Sequence, residues 1–193
     1  MKTQTIIALK FLAIMTVLTG IIYPLFVTAV TGTLFPHQSR GSLIEKNGKV
    51  IGSELIGQKT DSSIYFWTRP SAIDYNPLPS GGSNYGPTSA KLQKFINDKR
   101  HVFDSANNIT DTLSVPSEMI TASASGLDPH ISPQAAYLQV ERVAKARGFK
   151  EKQKNELKYL IAQLSETPQF HLFGEDRINV LKLNIELDKI KNN

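Results

Sequence analysis

The sequence predicts an α+β protein in which one N-terminal transmembrane helix is followed by a small mixed α/β soluble domain. No charged residue occurs between Phe11 and Phe35, where Ile, Leu, Val, Phe and Ala dominate. About 20 predominantly apolar residues are enough to cross a membrane as a helix. After Arg40, short strand-like runs and helix-like stripes are separated by turn residues. We therefore expect a membrane helix at about 6–34 within an N-terminal segment 1–36, and a soluble domain over 37–193.

The apolar segment has an alternative interpretation as a cleaved signal peptide. Val27-Thr28-Ala29 resembles a cleavage site, and cleavage there would release a secreted binding module that begins near Val30. The apolar part of a signal peptide spans only about 7–15 residues, however, and this run continues to Leu34. We expect a retained anchor. Basic residues flank it on both sides, so charge leaves the orientation open, while the short N-terminal tail favours an exported domain.

A ridge of small or polar residues recurs at every fourth position of the predicted span. Small residues let a second helix approach closely in lipid, so we expect this ridge to face a helix of a partner subunit. Gly and Thr are also common in membrane helices without any such role. Tyr23 and Pro24 suggest a kink that is buried against protein. The predicted interface consists of Thr16, Gly20, Tyr23, Pro24, Thr28 and Gly32.

The first half of the soluble domain predicts a hairpin, a strand and a helix. Two apolar runs flank Asn47-Gly48, a strong hairpin signal. Ile64–Thr68 has the composition of a strand and ends before Pro70. A helix is expected from about Thr88 to Phe103, between two loops that are rich in turn residues.

The second half predicts two helices and a closing strand. Ser132 and Pro133 are suited to begin a helix that ends at Arg147, before Gly148. Its expected buried face is Ala136, Val140, Val143 and Ala144. A second apolar stripe contains Leu157, Leu160, Ile161 and Leu164. The alternating apolar residues over 178–187 predict a strand.

Composition argues against nucleic-acid binding and against a metal site. From Arg40 onward, 20 basic residues face 17 acidic ones, so the domain is only mildly basic. Seven basic residues lie between Arg142 and Lys158, but acidic residues interrupt them and no aromatic platform accompanies them, which favours a solvated helix face. The chain has no cysteine, and three of its four histidines stand alone.

Ser125, Asp128 and His130 are the residue types of a hydrolytic triad. Known triads draw their members from separated parts of a chain and add an oxyanion hole. Here all three lie in one short loop that Pro129 stiffens, and the loop runs into a predicted helix. We expect a shaped structural or docking loop with no catalytic residue, and keep a membrane-tethered hydrolase as the alternative. The loop residues concerned are Gly126, Asp128, Pro129, His130 and Pro133.

A second loop has the composition of an anion-binding turn. Its backbone N–H groups could contact phosphate, although the sequence lacks the lysine of a Walker A loop. A plain turn is the alternative. The residues of this candidate nucleotide contact are Ser80, Gly81, Gly82, Ser83 and Asn84.

Seven segments together resemble one family over nearly the whole chain. They are "YPLFVTAVTG" (23–32), "GSELIGQ" (52–58), "YFWTRPS" (65–71), "SGGSNYGP" (80–87), "VP" (115–116), "TASASGLDPHISPQAA" (121–136) and "INVLKLNIELD" (178–188). The chain is similar to the C subunit of the Kdp-type potassium-transporting P-type ATPase. The string "SGLDPHISP" is its most specific part, whereas "GSNYGP" and the lysine-rich stretch after Gly148 depart from the family in detail.

The resemblance implies a non-catalytic accessory subunit of an ATP-driven potassium uptake complex in the bacterial cytoplasmic membrane. Its implied partners are a channel-like potassium-binding subunit, a P-type ATPase subunit and the lipid bilayer. The family is implied to be single-pass, with an extracytoplasmic domain needed for assembly and activity. It is also implied to act as a catalytic chaperone that raises affinity for ATP, with the "SGGS" loop as nucleotide contact and no firmly bound cofactor. These last two implications conflict, because ATP is cytoplasmic.

Overall fold

The computed structural model describes residues 2–46, 48–111 and 115–191. Contacts divide the chain into two compact units, Met1–Ser53 and Glu54–Asn193. An N-terminal apolar helix and a small domain of helices and short strands are both present, which confirms the predicted fold class. The predicted division between residues 36 and 37 stays a prediction.

The first unit begins with a continuous helical segment. Helix α1 spans Lys2–Val17, a π-helical turn spans Leu18–Ile22, and helix α2 spans Tyr23–Leu34. Together they form a candidate membrane span of 33 residues, whose most apolar window has a mean hydropathy of 2.2 and is not buried. In the described part of the chain, this is the one helix that is long and apolar enough to cross a membrane.

The π-helical turn ends at Ile22, directly before Tyr23 and Pro24, where the sequence predicted a kink. Burial of that kink against protein stays a prediction. Pro24 has no N–H group, so it cannot donate to the carbonyl four residues earlier as an α-helix requires. The preceding N–H, that of Tyr23, donates instead to the carbonyl of Leu18, five residues back. Such wide turns inside α-helices have this i to i−5 pattern. The hydroxyl of Thr28 donates to the carbonyl of Pro24 at 2.8 Å, so it is satisfied within its own helix.

A short helix and the predicted hairpin complete the first unit. Helix α3 spans Pro36–Ser39. Strand β1 (Leu43–Lys46) pairs antiparallel with strand β2 (Lys49–Ser53), with an irregularity between Ile44 and Glu45. The hairpin is thereby confirmed, although Asn47 of its predicted turn lies outside the described residues.

In its described residues, the second unit contains four α-helices and a two-stranded pairing. Helix α4 spans Ala90–Asn107, and a 3₁₀ turn follows at Ser117–Met119. Strand β3 (His130–Ile131) pairs antiparallel with strand β4 (Ile178–Asn179). Helices α5 (Pro133–Arg147), α6 (Glu151–Leu164) and α7 (Val180–Leu187) supply most of the core. The fully buried core side chains include Phe66, Val140, Val143, Leu157, Ile161, Ile178, Val180, Leu183 and Leu187.

Helix α5 matches its prediction residue by residue. The hydroxyl of Ser132 accepts a hydrogen bond from the N–H of Ala135 at 3.1 Å, and Pro133 is the first helical residue. Gly148 ends the helix with φ of 66°. The expected face of Ala136, Val140, Val143 and Ala144 is buried. Strong local capping signals agree here with the apolar period, which is why sequence reasoning succeeds.

The prediction of a strand at Ile64–Thr68 is wrong. The segment lies outside every strand, because two buried side-chain amides take the place of a neighbouring strand. Asn184 accepts from the N–H of Phe66 at 2.8 Å and donates to its carbonyl at 3.0 Å. Gln139 does the same for Trp67, at 2.7 and 3.3 Å. The apolar composition of the segment correctly indicated burial. Its backbone N–H and carbonyl groups, however, form hydrogen bonds with side chains and not with a neighbouring strand.

The prediction of a closing strand over 178–187 is also wrong beyond Asn179. Strand β4 has two residues, and helix α7 then begins. The side chain of Asn179 accepts from the N–H of Lys182 at 3.1 Å and so caps the helix. The buried residues Val180, Leu183, Asn184 and Leu187 recur at helical spacing. The apolar pattern alone does not show that Asn179 caps a helix or that the polar residue Asn184 is buried in its face.

Candidate functional site

The loop Ser125–His130, which we call the central loop, is held by several other segments of the second unit. The N–H of Gly57 donates to the carbonyl of Leu127 at 2.7 Å, and that of Val180 donates to the carbonyl of Pro129 at 2.9 Å. His130 then enters strand β3. Neighbours distant in sequence therefore fix the backbone of this loop.

Glycine is required at two contacts of the loop for different reasons. Gly126 has φ of 70°, and a side chain there would place its Cβ 2.5 Å from Cγ1 of Ile73. A Cβ on Gly57 would lie 2.6 Å from the carbonyl oxygen of Asp128, a backbone atom that cannot move aside cheaply. Gly126 is required because its backbone is left-handed, and Gly57 is required because the backbone of Asp128 approaches it closely.

Asp128 is the electrostatic centre of the loop. One carboxylate oxygen, Oδ2, accepts from Nη1 of Arg69 at 2.8 Å. The other, Oδ1, accepts from the backbone N–H of His130 at 3.0 Å and lies 3.4 Å from its Nδ1. Burial alone would raise the pKa of Asp128, but the hydrogen bonds from His130 and Arg69 outweigh it and lower the pKa to about 2. The carboxylate is therefore charged at neutral pH and ties the loop to Arg69.

The loop does not have the geometry of a hydrolytic triad. The hydroxyl of Ser125 accepts from the N–H of Leu127 at 3.1 Å, within its own turn. Across residues 48–111 and 115–191, no hydrogen bond joins Ser125 to His130, whose Nδ1 lies next to Asp128. A serine nucleophile needs its base within about 2.6–3.2 Å. The arrangement can hold a charged carboxylate in place and fix the conformation of the loop backbone.

The Ser80–Asn84 loop lies against this central loop. The N–H of Gly81 donates to the carbonyl of Ser125 at 3.1 Å. A Cβ on Gly82 would lie 3.0 Å from the carbonyl oxygen of Ala124. Ser80, Ser83 and Asn84 are exposed. Close backbone approach thus accounts for Gly82, whereas a Cβ on Gly81 would meet no non-neighbouring atom within 4 Å. The N–H of Gly81, one of those predicted to cradle phosphate, is already used.

An open depression borders the central loop. Arg69, Asp128 and His130 line one side of it, and the residues Gly174–Arg177 line another. Glu118 lies in the same depression and its Oε1 accepts from the N–H of Ser132 at 3.3 Å. In the part of the chain that the structure describes, no three His, Cys, Asp or Glu side chains are arranged to hold a metal ion.

A half-open cavity of about 350 Å³ lies elsewhere in the second unit, beside Trp67, Phe103 and Met119. Several of its polar lining groups are paired within the chain. Lys59 contacts Asp74 at 2.8 Å, and the hydroxyl of Tyr75 donates to the carbonyl of Arg69 at 2.7 Å. Nothing in this lining identifies a ligand.

Sequence reasoning missed the buried Arg142 and the residues that surround it. Its Nη1 donates to the carbonyls of Ser63 and Tyr65 at 2.8 and 3.0 Å, and its guanidinium lies 4.3 Å from the centre of the Trp67 ring. Burial lowers the pKa of Arg142 to about 10. The expectation of a solvated basic face is therefore wrong for this residue, which is 6% exposed. Charge counting alone contains no signal for such a role.

An apolar N-terminal helix of membrane-spanning length, joined to a small α+β domain, defines the structural class: a candidate single-span membrane protein. The comparisons with known proteins specify the member of that class. The family model described as "K+-transporting ATPase, c chain" matches residues 5–189. The chain belongs to this family, whose members are non-catalytic subunits of a potassium-transporting ATPase.

Curated relatives agree along their full length. A potassium-transporting ATPase KdpC subunit of Geotalea uraniireducens (strain Rf4) is 46% identical over 187 residues, which is 95% of this chain and 96% of the relative. KdpC subunits of Polynucleobacter asymbioticus and Dechloromonas aromatica are 44% and 43% identical, covering 97% and 98% of this chain and 99% of each relative. The predicted family is thereby confirmed, and the chain is a subunit of a multi-subunit potassium-transporting ATPase.

Proposed function

We propose that this chain is needed for assembly and activity of the potassium-transporting ATPase, and that it acts by docking and not by chemistry. The observation that carries the proposal is the Arg69–Asp128–His130 cluster. It fixes the central loop through charge and backbone contacts, and its serine has no base within reach. Such a cluster is suited to presenting a rigid surface, with Gly126, Pro129 and Pro133 shaping the chain on either side of Asp128.

The membrane helix supplies a second contact in this proposal. The ridge of Thr16, Gly20, Tyr23, Pro24, Thr28 and Gly32 faces a helix of the channel-like potassium-binding subunit or of the P-type ATPase subunit. Neither Gly20 nor Gly32 has a non-neighbouring atom within 4 Å of the position where a Cβ would be. Both positions are therefore open to close approach by another helix, which is how small residues act in lipid.

The proposed orientation places the soluble domain outside the bacterial cytoplasmic membrane. The family resemblance supports this orientation, since it implies an extracytoplasmic domain; basic residues flank the span on both sides, so charge does not select an orientation. In that orientation the domain does not meet cytoplasmic ATP. An ATP contact through Ser80–Asn84, and a role as catalytic chaperone, therefore require the opposite orientation or a nucleotide reached through the complex.

Cysteine labelling in intact cells tests the orientation without background, because the chain has no cysteine of its own. Ser105→Cys places a thiol on an exposed position of α4, and Thr3→Cys places one in the exposed N-terminal turn. We expect a membrane-impermeant maleimide to label the first in intact cells and the second only after permeabilisation. The reverse pattern would contradict the proposed orientation and favour the ATP contact.

A further inference from the structure

The segment between α6 and β4, residues 165–177, exposes three large apolar side chains at its tip. Phe170, Leu172 and Phe173 are 83%, 79% and 67% exposed. Together they present on the order of 400 Å² of apolar surface, which is the size at which a patch on a soluble domain is often functional. We call this segment the apolar loop.

The apolar loop is a built structure with a paired base. Glu166 and Arg177 exchange both backbone hydrogen bonds, at 2.8 and 3.0 Å, and their side chains form an ion pair at 2.8 Å. Gln169 and Phe173 exchange a second pair of backbone bonds, at 2.9 and 3.0 Å. Two pairs of backbone hydrogen bonds therefore join the two arms of the apolar loop.

Two residues at the tip of the apolar loop have a backbone conformation that lowers local stability. Phe170 and His171 have φ of 54° and 57°, in the left-handed region. That conformation costs a bulky L-residue about 1–2 kcal/mol, and Asn-Gly is the usual occupant of such turns. Phe170 is thus an exposed aromatic residue in strained backbone, beside two more exposed apolar side chains. A surface that contacts a partner requires such groups, whereas a loop that contacts only solvent does not.

The charge around the tip distinguishes between the surfaces it could meet. The segment Ser165–Arg177 contains three acidic residues and one basic residue. Glu166 is paired with Arg177, while Glu175 and Asp176 have no ion pair among the described residues. This acidic collar is repelled by anionic lipid headgroups and complements basic side chains. A protein pocket with an apolar floor and a basic rim fits both features.

We propose that the apolar loop docks into an apolar, basic-rimmed pocket on another subunit of the potassium-transporting ATPase. The inference rests on the proposed function, because it assumes that the chain acts by docking within the complex. The apolar loop is continuous with the central loop: Gly174–Arg177 line the same depression as Asp128 and His130, and β4 joins them to β3. The base of the apolar loop and the central loop therefore border one depression on the second unit.

Photo-crosslinking in the assembled complex identifies what the tip touches. A benzoylphenylalanine in place of Phe170 is expected to crosslink to another subunit of the ATPase after irradiation of purified complex. The same group at Tyr159, which is 70% exposed on α6, is the matched control and is expected to give no subunit adduct. Adducts only to lipid, or only to a second copy of this chain, would overturn the proposal.

Substitution measures how much the contact contributes. Phe170→Ser with Phe173→Ser in the full chain is expected to lower co-purification with the other subunits about ten-fold or more, as loss of an aromatic anchor does at interfaces. The melting temperature of the chain alone should not fall, because these side chains are exposed, and Tyr159→Ser should leave co-purification unchanged. A second double variant, Glu175→Lys with Asp176→Lys, should also weaken co-purification.

The outcomes separate this inference from the function on which it rests. Normal co-purification of both double variants, together with lost activity in an Asp128→Ala complex, would overturn the apolar-loop contact alone. Normal behaviour of all three variants would contradict the docking function as well.

Discussion

Arg69 donates from Nη1 to Oδ2 of Asp128 across 2.8 Å, and this ion pair connects two segments that are 59 residues apart. The carboxylate also accepts from the backbone of His130, so it closes the central loop on itself. The stability of the central loop therefore depends on the charge of the Asp128 carboxylate, and so does the docking surface that we propose for the loop.

Asp128→Asn is expected to destabilise the chain by about 1–2 kcal/mol. The lowering of the Asp128 pKa to about 2 corresponds to a free energy somewhat larger than this. Solvent screening reduces that free energy, because the side chain is 30% exposed. Denaturant unfolding of the full chain in detergent measures the change. Asp74→Asn is the matched control: its pair with Lys59 is also 2.8 Å long, but it is well exposed and should contribute almost nothing. Equal effects of the two substitutions would contradict the special role of Asp128.

The contribution of Asp128 should depend on pH in one direction. The pKa of Asp128 is lower in the folded chain than its usual value of 3.8, so the folded state favours the charged carboxylate more than the unfolded state does. The stabilisation is complete above the usual pKa and is lost as pH falls towards about 2. The free energy of unfolding of wild type should therefore exceed that of Asp128→Asn at pH 6 by more than at pH 3. A difference that grows with acidity would refute this assignment.

Asn184→Ala should be among the most damaging single changes in the second unit. It removes the amide that satisfies both the N–H and the carbonyl of Phe66, at 2.8 and 3.0 Å, and leaves both groups buried. Each unpaired buried backbone group costs about 1–3 kcal/mol, so we expect a loss of about 2–4 kcal/mol in the free energy of unfolding. Asn155→Ala, on the exposed face of α6, is the control and should change stability by less than about 0.5 kcal/mol.

The same amides explain where sequence-based prediction ends. Helix α5 was predictable because Ser132, Pro133 and Gly148 are local signals that agree with the apolar period. The segment around Phe66 and Trp67 was not, because its hydrogen-bond partners Asn184 and Gln139 lie 118 and 72 residues away in the chain. For the candidate site, the sequence identified Asp128 and His130, but the pairing with Arg69 depends on tertiary structure alone.

Gly20→Leu is expected to lower co-purification of the chain with the larger membrane subunits without reducing its insertion into the membrane. The added side chain enlarges a position that is open in the structure and that we propose to face another helix. Phe26→Trp is the control, because residue 26 lies on the side of α2 away from Pro24 and Thr28 at 100° per residue. Western blots of membranes and of affinity-purified complex measure the two quantities. Equal recovery of complex for both variants would mean that the ridge has no partner.

Potassium-stimulated ATP hydrolysis, measured with purified subunits, tests the central claim most directly. The chain alone should hydrolyse no ATP, and adding it to the other subunits should restore stimulation by potassium. Ser125→Ala should restore stimulation as well as wild type does, whereas Asp128→Ala should restore less, because the second change loosens the central loop and the first removes only a hydroxyl that serves its own turn. Full potassium-stimulated hydrolysis without this chain would contradict the account.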